Sequence, residues 1–304
     1  MEFLYLLEKI RVPVLNEFML LITQLGEETA FLVVALVLFW CVSKRTGYYI
    51  LSVGFIGTLA NQFMKLWFRI PRPWVLDDHF TILEQAREAA SGYSFPSGHT
   101  QSAVGTFGAI SRSTSKRWVR ITALIVAVLV PFSRMYIGVH TPADVLVAAG
   151  LAVALIFLLK PLFDNRDGKY IPALFAGMLL LAIGYMCYVS YYPFPDNIDS
   201  HNLQSGVKNA YTLLGALLGL IVVYIVDEKW LHFTTKAIWW AQIIKVVGGL
   251  AVVLAVKSGL KSPLNALLGE SVGRSARYFL VVIAAGVLWP LTFKWFSKLG
   301  KKEM

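Results

Sequence analysis

Charge is scarce in this chain. Of its 304 residues, 15% are Asp, Glu, Lys or Arg and 57% are hydrophobic, whereas a soluble domain carries roughly a quarter charged residues. That shortage excludes an ordinary soluble globular protein. Cysteine is scarcer still. Cys41 and Cys187 both sit inside apolar blocks, and no Cys-x-x-Cys or comparable spacing exists, which excludes a disulfide scaffold and a cysteine metal site. The expectation is two thiols buried in a membrane. Linkers, low-complexity tracts, internal repeats and a soluble domain are also missing. The net charge of +10 does not point to nucleic acid, because the basic residues flank apolar blocks, where they anchor and orient spans.

What the chain has is apolar blocks of roughly 17–25 residues, the length that crosses a bilayer as a helix. The predicted spans are 27–43, 48–66, 99–113, 119–136, 143–160, 170–190, 207–226, 237–256 and 278–296. The expected fold is therefore an all-α polytopic membrane bundle of about nine spans. Residues 1–26 mix Glu and Arg into an apolar run without a short hydrophobic region and small-residue cleavage site. They read as an interfacial amphipathic helix or a poor first span, not as a cleavable signal. Residues 27–160 form the expected catalytic core of five spans, and 161–304 form further membrane helices of open role.

Basic residues set the expected orientation. Lys44, Arg45, Arg112, Lys116, Arg117, Arg120, Lys160, Arg166, Lys169, Lys229, Lys236, Lys294, Lys298, Lys301 and Lys302 fall on one side, read as cytoplasmic. The opposite loop 191–206 has no Lys or Arg. Loop 257–277 breaks the rule. It should be external yet carries Lys257, Lys261, Arg274 and Arg277, and reads as a partly embedded hairpin or as a sign that the last spans are misassigned.

Three polar clusters fall where external loops meet spans. In KLWFRIPRP (65–73), Lys65 ends the second span and Arg72 follows between two prolines that stiffen the turn. These could be two cations aimed at one anion, or interfacial anchors, as Arg69 could be. In YSFPSGHTQ (93–101), Ser97 is a candidate N-cap, Gly98 allows close backbone approach to a ligand, and a helix N-terminus attracts phosphate. His99 stands at that mouth, placed to give a proton to a leaving oxygen. In SRMYIGVHTPAD (133–144), Thr141 is the predicted N-cap, with Pro142 at the first helical position and Asp144 at the third. Capping alone would explain Asp144 but not His140 or Arg134. A carboxylate on one nitrogen of His140 would free the other as a nucleophile, and Arg134 adds a fork of donors. Cations, backbone donors and two imidazoles suit a dianionic phosphate ester without a metal. A two-histidine-plus-aspartate metal site is the competing interpretation, disfavoured because the motifs hold one carboxylate.

These residues resemble the type 2 phosphatidic acid phosphatase family. Its three-part signature, Lys-x6-Arg-Pro, Pro-Ser-Gly-His and Ser-Arg-x5-His-x3-Asp, is matched by Lys65…Arg72-Pro73, Pro96-Ser97-Gly98-His99 and Ser133-Arg134…His140…Asp144. The resemblance covers roughly residues 25–160. It implies His140 as nucleophile through a phosphohistidine, Asp144 as its orienter and His99 as general acid and later base. It implies Lys65, Arg72, Ser97, Gly98 and Arg134 as phosphate-binding groups. No metal or cofactor is implied, and the site would face the periplasm or cell exterior. Compact loops point to a bacterial cell membrane. Soluble vanadium haloperoxidases share the signature, but a chain filled with membrane spans argues against that activity.

The expected partner is a lipid phosphate: phosphatidate, phosphatidylglycerol phosphate or polyprenyl pyrophosphate. A lipid phosphotransferase would use the same intermediate, and a non-catalytic scaffold or transporter is the alternative from another class. Beyond the signature, Asn61 lies one turn before Lys65 and is a candidate to hold it, or a polar contact between helices. Loop 74–92 is too long for a simple turn. Its Asp77, Asp78, Glu84 and Glu88 could rim a lid, or merely face water. Lys245, deep in the eighth block, is expected to have a structural partner. His79, His201 and His232 have no partner at motif spacing.

Overall fold

In lipid no water is available to bond peptide groups, so long apolar runs must satisfy their backbone internally as helices. The computed structural model describes residues 1–87, 90, 92–165 and 168–299, and among these there is no strand. In chain order the helices are α1 (Glu2–Lys9), α2 (Pro13–Gln24), α3 (Glu28–Cys41), α4 (Lys44–Phe68), α5 (Pro73–Leu76), α6 (Gly98–Ser113), α7 (Arg117–Tyr136), α8 (Pro142–Asp164), α9 (Ile171–Tyr191), α10 (Ser200–Val226), α11 (Trp239–Gly259), α12 (Lys261–Ile283) and α13 (Phe293–Phe296). Glu88, Arg166, Lys301 and Lys302, which entered the lid and orientation expectations, lie outside the described residues.

Every predicted span falls on a helix, but the count of nine is not reached. Among the described residues, six helices are long and apolar enough to cross a membrane, or seven if α2 and α3, bent by 53° at their junction, form one span. The shortfall lies in the polar motifs. α6 has 16 residues and opens with Gly-His-Thr-Gln-Ser, while α4 carries Asn61 and Lys65 within its length. The most apolar windows bury a third or less of their residues in protein, so side chains such as Leu146, Leu158 and Leu180 are left to face lipid. The stretch 257–277 is helical rather than open loop, and it forms a hairpin as expected. α12 begins at Lys261 and is broken where Gly269 adopts φ 77°, and a Cβ on Gly273 would come within 2.6 Å of the Leu264 carbonyl oxygen, so the segments before and after Gly269 fold back on each other. Apart from that glycine, its Leu, Ala, Glu and Arg residues are good helix formers.

The chain divides into two compact units. The first comprises Met1–Ala35, Tyr49–Arg166 and Ile198–Asn202; the second comprises Leu36–Tyr48, Asp167–Asn197 and Leu203–Met304.

In the first unit α6 packs on α7 and α8, and α2 packs along α7. Val53, Gly57, Asn61 and Lys65 recur every fourth residue and so share one face of α4. Gly57 matters because a Cβ there would lie 1.6 Å from Gln101 Nε2; its absence lets α4 and α6 approach. The N-terminal segment is part of this packing. Leu4 is fully buried with Phe80 and Ile82, Arg11 Nε donates to the Tyr136 carbonyl at 3.0 Å, and Tyr136 donates to Asn16 Oδ1 at 2.8 Å. The described part of loop 74–92 near its start is pinned likewise. Asp77 accepts from the Tyr5 hydroxyl at 2.7 Å, which with burial of Phe80 and Ile82 argues against a free acidic lid.

In the second unit Lys245 is buried, as a charge within an apolar block requires. Its ammonium donates to the carbonyls of Trp40 at 2.9 Å and Thr235 at 3.2 Å and sits 4.1 Å from the Phe293 ring centroid. That is the structural partner expected for it. Lys44 pairs with buried Asp227 at 2.6 Å. Cys41 is half-buried and Cys187 exposed on α9, both as free thiols.

Candidate active site

Each motif meets its neighbours through local structure legible in the chain. Thr141 caps α8 with a full capping box: its hydroxyl accepts from the Asp144 N–H, and Asp144 Oδ2 accepts from the Thr141 N–H at 2.7 Å. Ser97 caps α6, accepting from the Thr100 N–H. The Ser97 N–H in turn donates to the Asp144 carbonyl at 3.1 Å, which ties the second motif to the third. The Phe95–Pro96 peptide before this cap is cis. Arg72 lies just ahead of α5, with Pro73 at its first helical position.

His140 is the meeting point. Arg72 Nη1 lies 3.0 Å from its Nε2 and also donates to the Val139 carbonyl at 2.9 Å. A guanidinium has donors and no acceptor. Nε2 must therefore present its lone pair, and the proton of neutral His140 sits on Nδ1. On that side Asp144 Oδ2 lies 3.4 Å away. Ser94, fully buried, stands between them: its hydroxyl donates to Asp144 Oδ2 at 2.5 Å and lies 3.4 Å from His140 Nδ1. Burial first, and then the positive charges of Arg72, Arg134 and Lys65, hold His140 well below the usual imidazole range. Burial also lowers Arg72, to about 10, with Asp144 partly offsetting it, so it stays charged at neutral pH.

The other cations rest on neutral oxygens. Lys65 Nζ donates to the Tyr93 carbonyl at 2.5 Å, and Arg72 Nε to the Gly92 carbonyl at 2.9 Å. Arg134, buried in the last turn of α7, donates through Nη1 to Thr23 Oγ1 at 2.7 Å, while its buried Nε has no partner. His99 opens α6 beside Gly26, where a Cβ would come within 3.0 Å of His99 Cβ. Lys65, Arg72 and Arg134 all act on His99 electrostatically. One expectation is corrected. Asn61 does not hold Lys65; its amide donates to the Pro96 carbonyl at 3.3 Å and so braces the turn into α6.

The arrangement thus joins Arg72, His140 and Asp144 through direct contacts, sets Lys65 beside Arg72 on consecutive carbonyls, links Ser97 through the backbone, and couples Lys65, Arg134 and His99 to the rest through charge. Ser94, Thr23 and Gly26 were missed from the sequence. Ser94 offers the one local hint, lying three residues ahead of the Ser97 cap.

Comparison with known proteins agrees with this motif set. A PAP2 superfamily model matches residues 45–168, and a model of the transmembrane extension of PAP2 superfamily phosphatases matches residues 211–302. Phosphatidylglycerophosphatase B of Bacillus subtilis is 34% identical over 174 residues, 53% of this chain and 81% of that protein. An undecaprenyl-diphosphatase of Sulfolobus acidocaldarius is 31% identical over 45% of this chain and 65% of its own. A crystal structure of a transmembrane PAP2-type phosphatidylglycerolphosphate phosphatase from Bacillus subtilis aligns with 54% of this chain and 83% of that one, at 32% identity and a TM-score of 0.45. The chain belongs to the PAP2 superfamily and is an integral membrane phosphoric-ester hydrolase of lipid phosphates.

Proposed function

We propose that this enzyme dephosphorylates a lipid phosphate monoester or pyrophosphate at the outer face of a bacterial cell membrane through a phosphohistidine. His140 Nε2 attacks phosphorus, forming an N–P bond as the P–O bond to the lipid breaks. His99 gives its proton to the departing oxygen. His99 then takes a proton from water, which attacks phosphorus, breaks the N–P bond and releases inorganic phosphate. Lys65, Arg72, Arg134, Ser97 and the backbone at Gly98 hold the phosphoryl oxygens, where fixed donors stabilise developing charge. Asp144 and Ser94 fix the imidazole.

The observation that carries this assignment is the pair of contacts on His140. A cation lies on Nε2 and a carboxylate on the Nδ1 side, so the attacking lone pair already points to where an anion would bind. In the free enzyme Arg72 occupies that position, and an incoming phosphoryl group would replace it there. Chemically, phosphatidylglycerol phosphate and polyprenyl pyrophosphate, the substrates in the relatives' names, each join an anionic head to a tail that neighbouring lipid can house.

The test offers purified enzyme in detergent a panel of phosphatidate, phosphatidylglycerol phosphate and polyprenyl pyrophosphate with a chelator present. Phosphate release from at least one is expected, with loss of at least a thousandfold in His140→Ala. Full activity in that variant would remove His140 as nucleophile. For the membrane face, single cysteines at Ser115 and Ser200, in a background lacking Cys41 and Cys187, are expected to label from opposite sides.

A further inference from the structure

The Lys65 and Arg72 cradle has an outside support. Both cations are aimed by consecutive carbonyls: Arg72 Nε bonds the Gly92 oxygen and Lys65 Nζ the Tyr93 oxygen. Whatever fixes that one dipeptide fixes the direction of both side chains. The dipeptide is gripped from residues 198–202, over a hundred positions away. Asn202 Oδ1 accepts from the Tyr93 N–H at 3.0 Å, and the Asp199 N–H donates to the Tyr93 hydroxyl at 3.3 Å. Gly92 holds φ 82°, a left-handed conformation suited to glycine, and a Cβ there would come within 2.4 Å of Asn202 Oδ1. Asn202 is itself held. Asp199 Oδ1 accepts from both its backbone N–H at 2.7 Å and its side-chain amide at 3.0 Å.

We propose that Asn202, oriented by Asp199, is a positioning residue that sets the Gly92–Tyr93 backbone and through it the two cations facing substrate phosphate. Asn202 lies between the two stretches matched by family models, 45–168 and 211–302, so the signature itself does not name it. The amide is suited to the task in a way a carboxylate is not: one end accepts from Tyr93 while the other donates to Asp199. An aspartate at 202 would face the Asp199 carboxylate at 3.0 Å, whereas exchanging the two residues keeps a carboxylate oxygen for the Tyr93 N–H and replaces the like-charge pair by an amide that can donate to a carboxylate. This inference rests on the phosphate-binding role proposed for Lys65 and Arg72.

The test compares wild type, Asn202→Ala, Asn202→Asp, the exchange Asp199→Asn with Asn202→Asp, and Arg72→Ala, all as full chains in detergent with folding checked by thermal melting. The readouts are KM and kcat for lipid phosphate and Ki for orthovanadate, a soluble probe of the cradle. Asn202→Ala and Asn202→Asp are expected to raise KM and Ki about tenfold, with a smaller change in kcat. The exchange is expected to return both to within about threefold of wild type. If Asn202→Ala leaves KM and Ki unchanged while Arg72→Ala raises them, the positioning role is wrong and the cradle stands. If the exchange is as impaired as Asn202→Asp, the amide contact is not what matters and the proposal is overturned. If Arg72→Ala changes neither constant, the cradle assignment fails and this inference falls with it.

Discussion

Asp144 does two things with one oxygen, and a single substitution separates them. Oδ2 closes the capping box of α8, accepts from Ser94 and faces the Nδ1 side of His140. Asn at 144 can keep an oxygen in that place, so the cap and the Ser94 bond survive in neutral form. What is lost is the negative charge beside the imidazolium-like state of attack. Hydrogen bonds to charged groups contribute about 1.5–3 kcal/mol against about 1 for neutral ones. The difference is about 0.5–2 kcal/mol; at about 1.4 kcal/mol per tenfold in rate, Asp144→Asn should lower kcat by about 2–30-fold and shift stability by under about 1 kcal/mol. Asp144→Ala should behave differently. It keeps the Thr141 cap on the residue-144 N–H but leaves the buried Ser94 hydroxyl and the Thr141 N–H without their acceptor, at about 1–3 kcal/mol each. Its destabilisation should reach about 2–6 kcal/mol. The 3.4 Å separation from His140 is long for a catalytic bond, but such bonds often tighten only when substrate is present. The assay is phosphate release under saturating lipid phosphate beside thermal unfolding in the same detergent. Wild-type kcat in Asp144→Asn would reduce this residue to a helix cap and refute the orienting role.

Three further expectations follow from the same contacts. Ser94→Ala deletes a bond to a buried carboxylate worth about 1.5 kcal/mol, so kcat should fall about tenfold; unchanged turnover would show that Ser94 only fills space. Thr23→Val keeps the shape but strips Arg134 Nη1 of its acceptor, and should raise the orthovanadate Ki about tenfold, measurable by inhibition of phosphate release. The pH dependence of stability has a definite sign. His140 is held below its ordinary 6.5 in the folded state, so beneath that pH the unfolded chain binds more protons and stability falls as pH drops. The slope is at most about 1.4 kcal/mol per pH unit. Unfolding curves at pH 5 and 7 should differ less in His140→Asn than in wild type, and equal differences would reject a neutral buried His140.

Most of the helices and the signature were legible because their signals are local. A cap, a proline at the first helical position and an acidic third residue read Thr141–Asp144 correctly from four adjacent letters. Long apolar runs located every span, though not the number that meets the length and apolarity of a crossing helix, because α4 and α6 trade apolarity for site chemistry. Partnerships across the chain left no such mark. Ser94 meets Asp144 fifty positions away, and Thr23 meets Arg134 at a separation of 111; neither has a spacing that periodicity can reveal. Asn61 shows how a local rule can mislead. One turn from Lys65, it shares a face with it. The longer lysine chain reaches on to the Tyr93 carbonyl, while the shorter amide reaches only Pro96. The 257–277 stretch is legible as a hairpin but not as helix: its charges suggest a loop, while its helix-forming residues wind it into two segments that turn back on each other at Gly269.

The contacts also explain how a buried site can be rich in charge and remain ready for an anion. Lys65 and Arg134 each take a neutral oxygen, from the Tyr93 carbonyl and Thr23 hydroxyl, and Arg72 bonds the Gly92 and Val139 carbonyls. Such acceptors satisfy donor geometry without cancelling charge, as paired carboxylates would. Asp144 is the carboxylate at the centre, and its Oδ2 is turned to Ser94, Thr141 and His140. Among the described residues, Lys65, Arg72 and Arg134 act together beside Asp144, with Glu27 acting on Arg134, an excess of positive charge that suits a phosphate dianion. Concentrating like charges in a poorly solvated place destabilises the empty fold, and binding a dianion relieves that repulsion. At one fixed concentration, orthovanadate should therefore raise the melting temperature of the wild type more than that of Arg72→Ala, because the tighter complex adds more stability at equal free ligand. An equal rise in both would mean that the cations are already neutralised in the free enzyme and that charge complementarity does not drive binding.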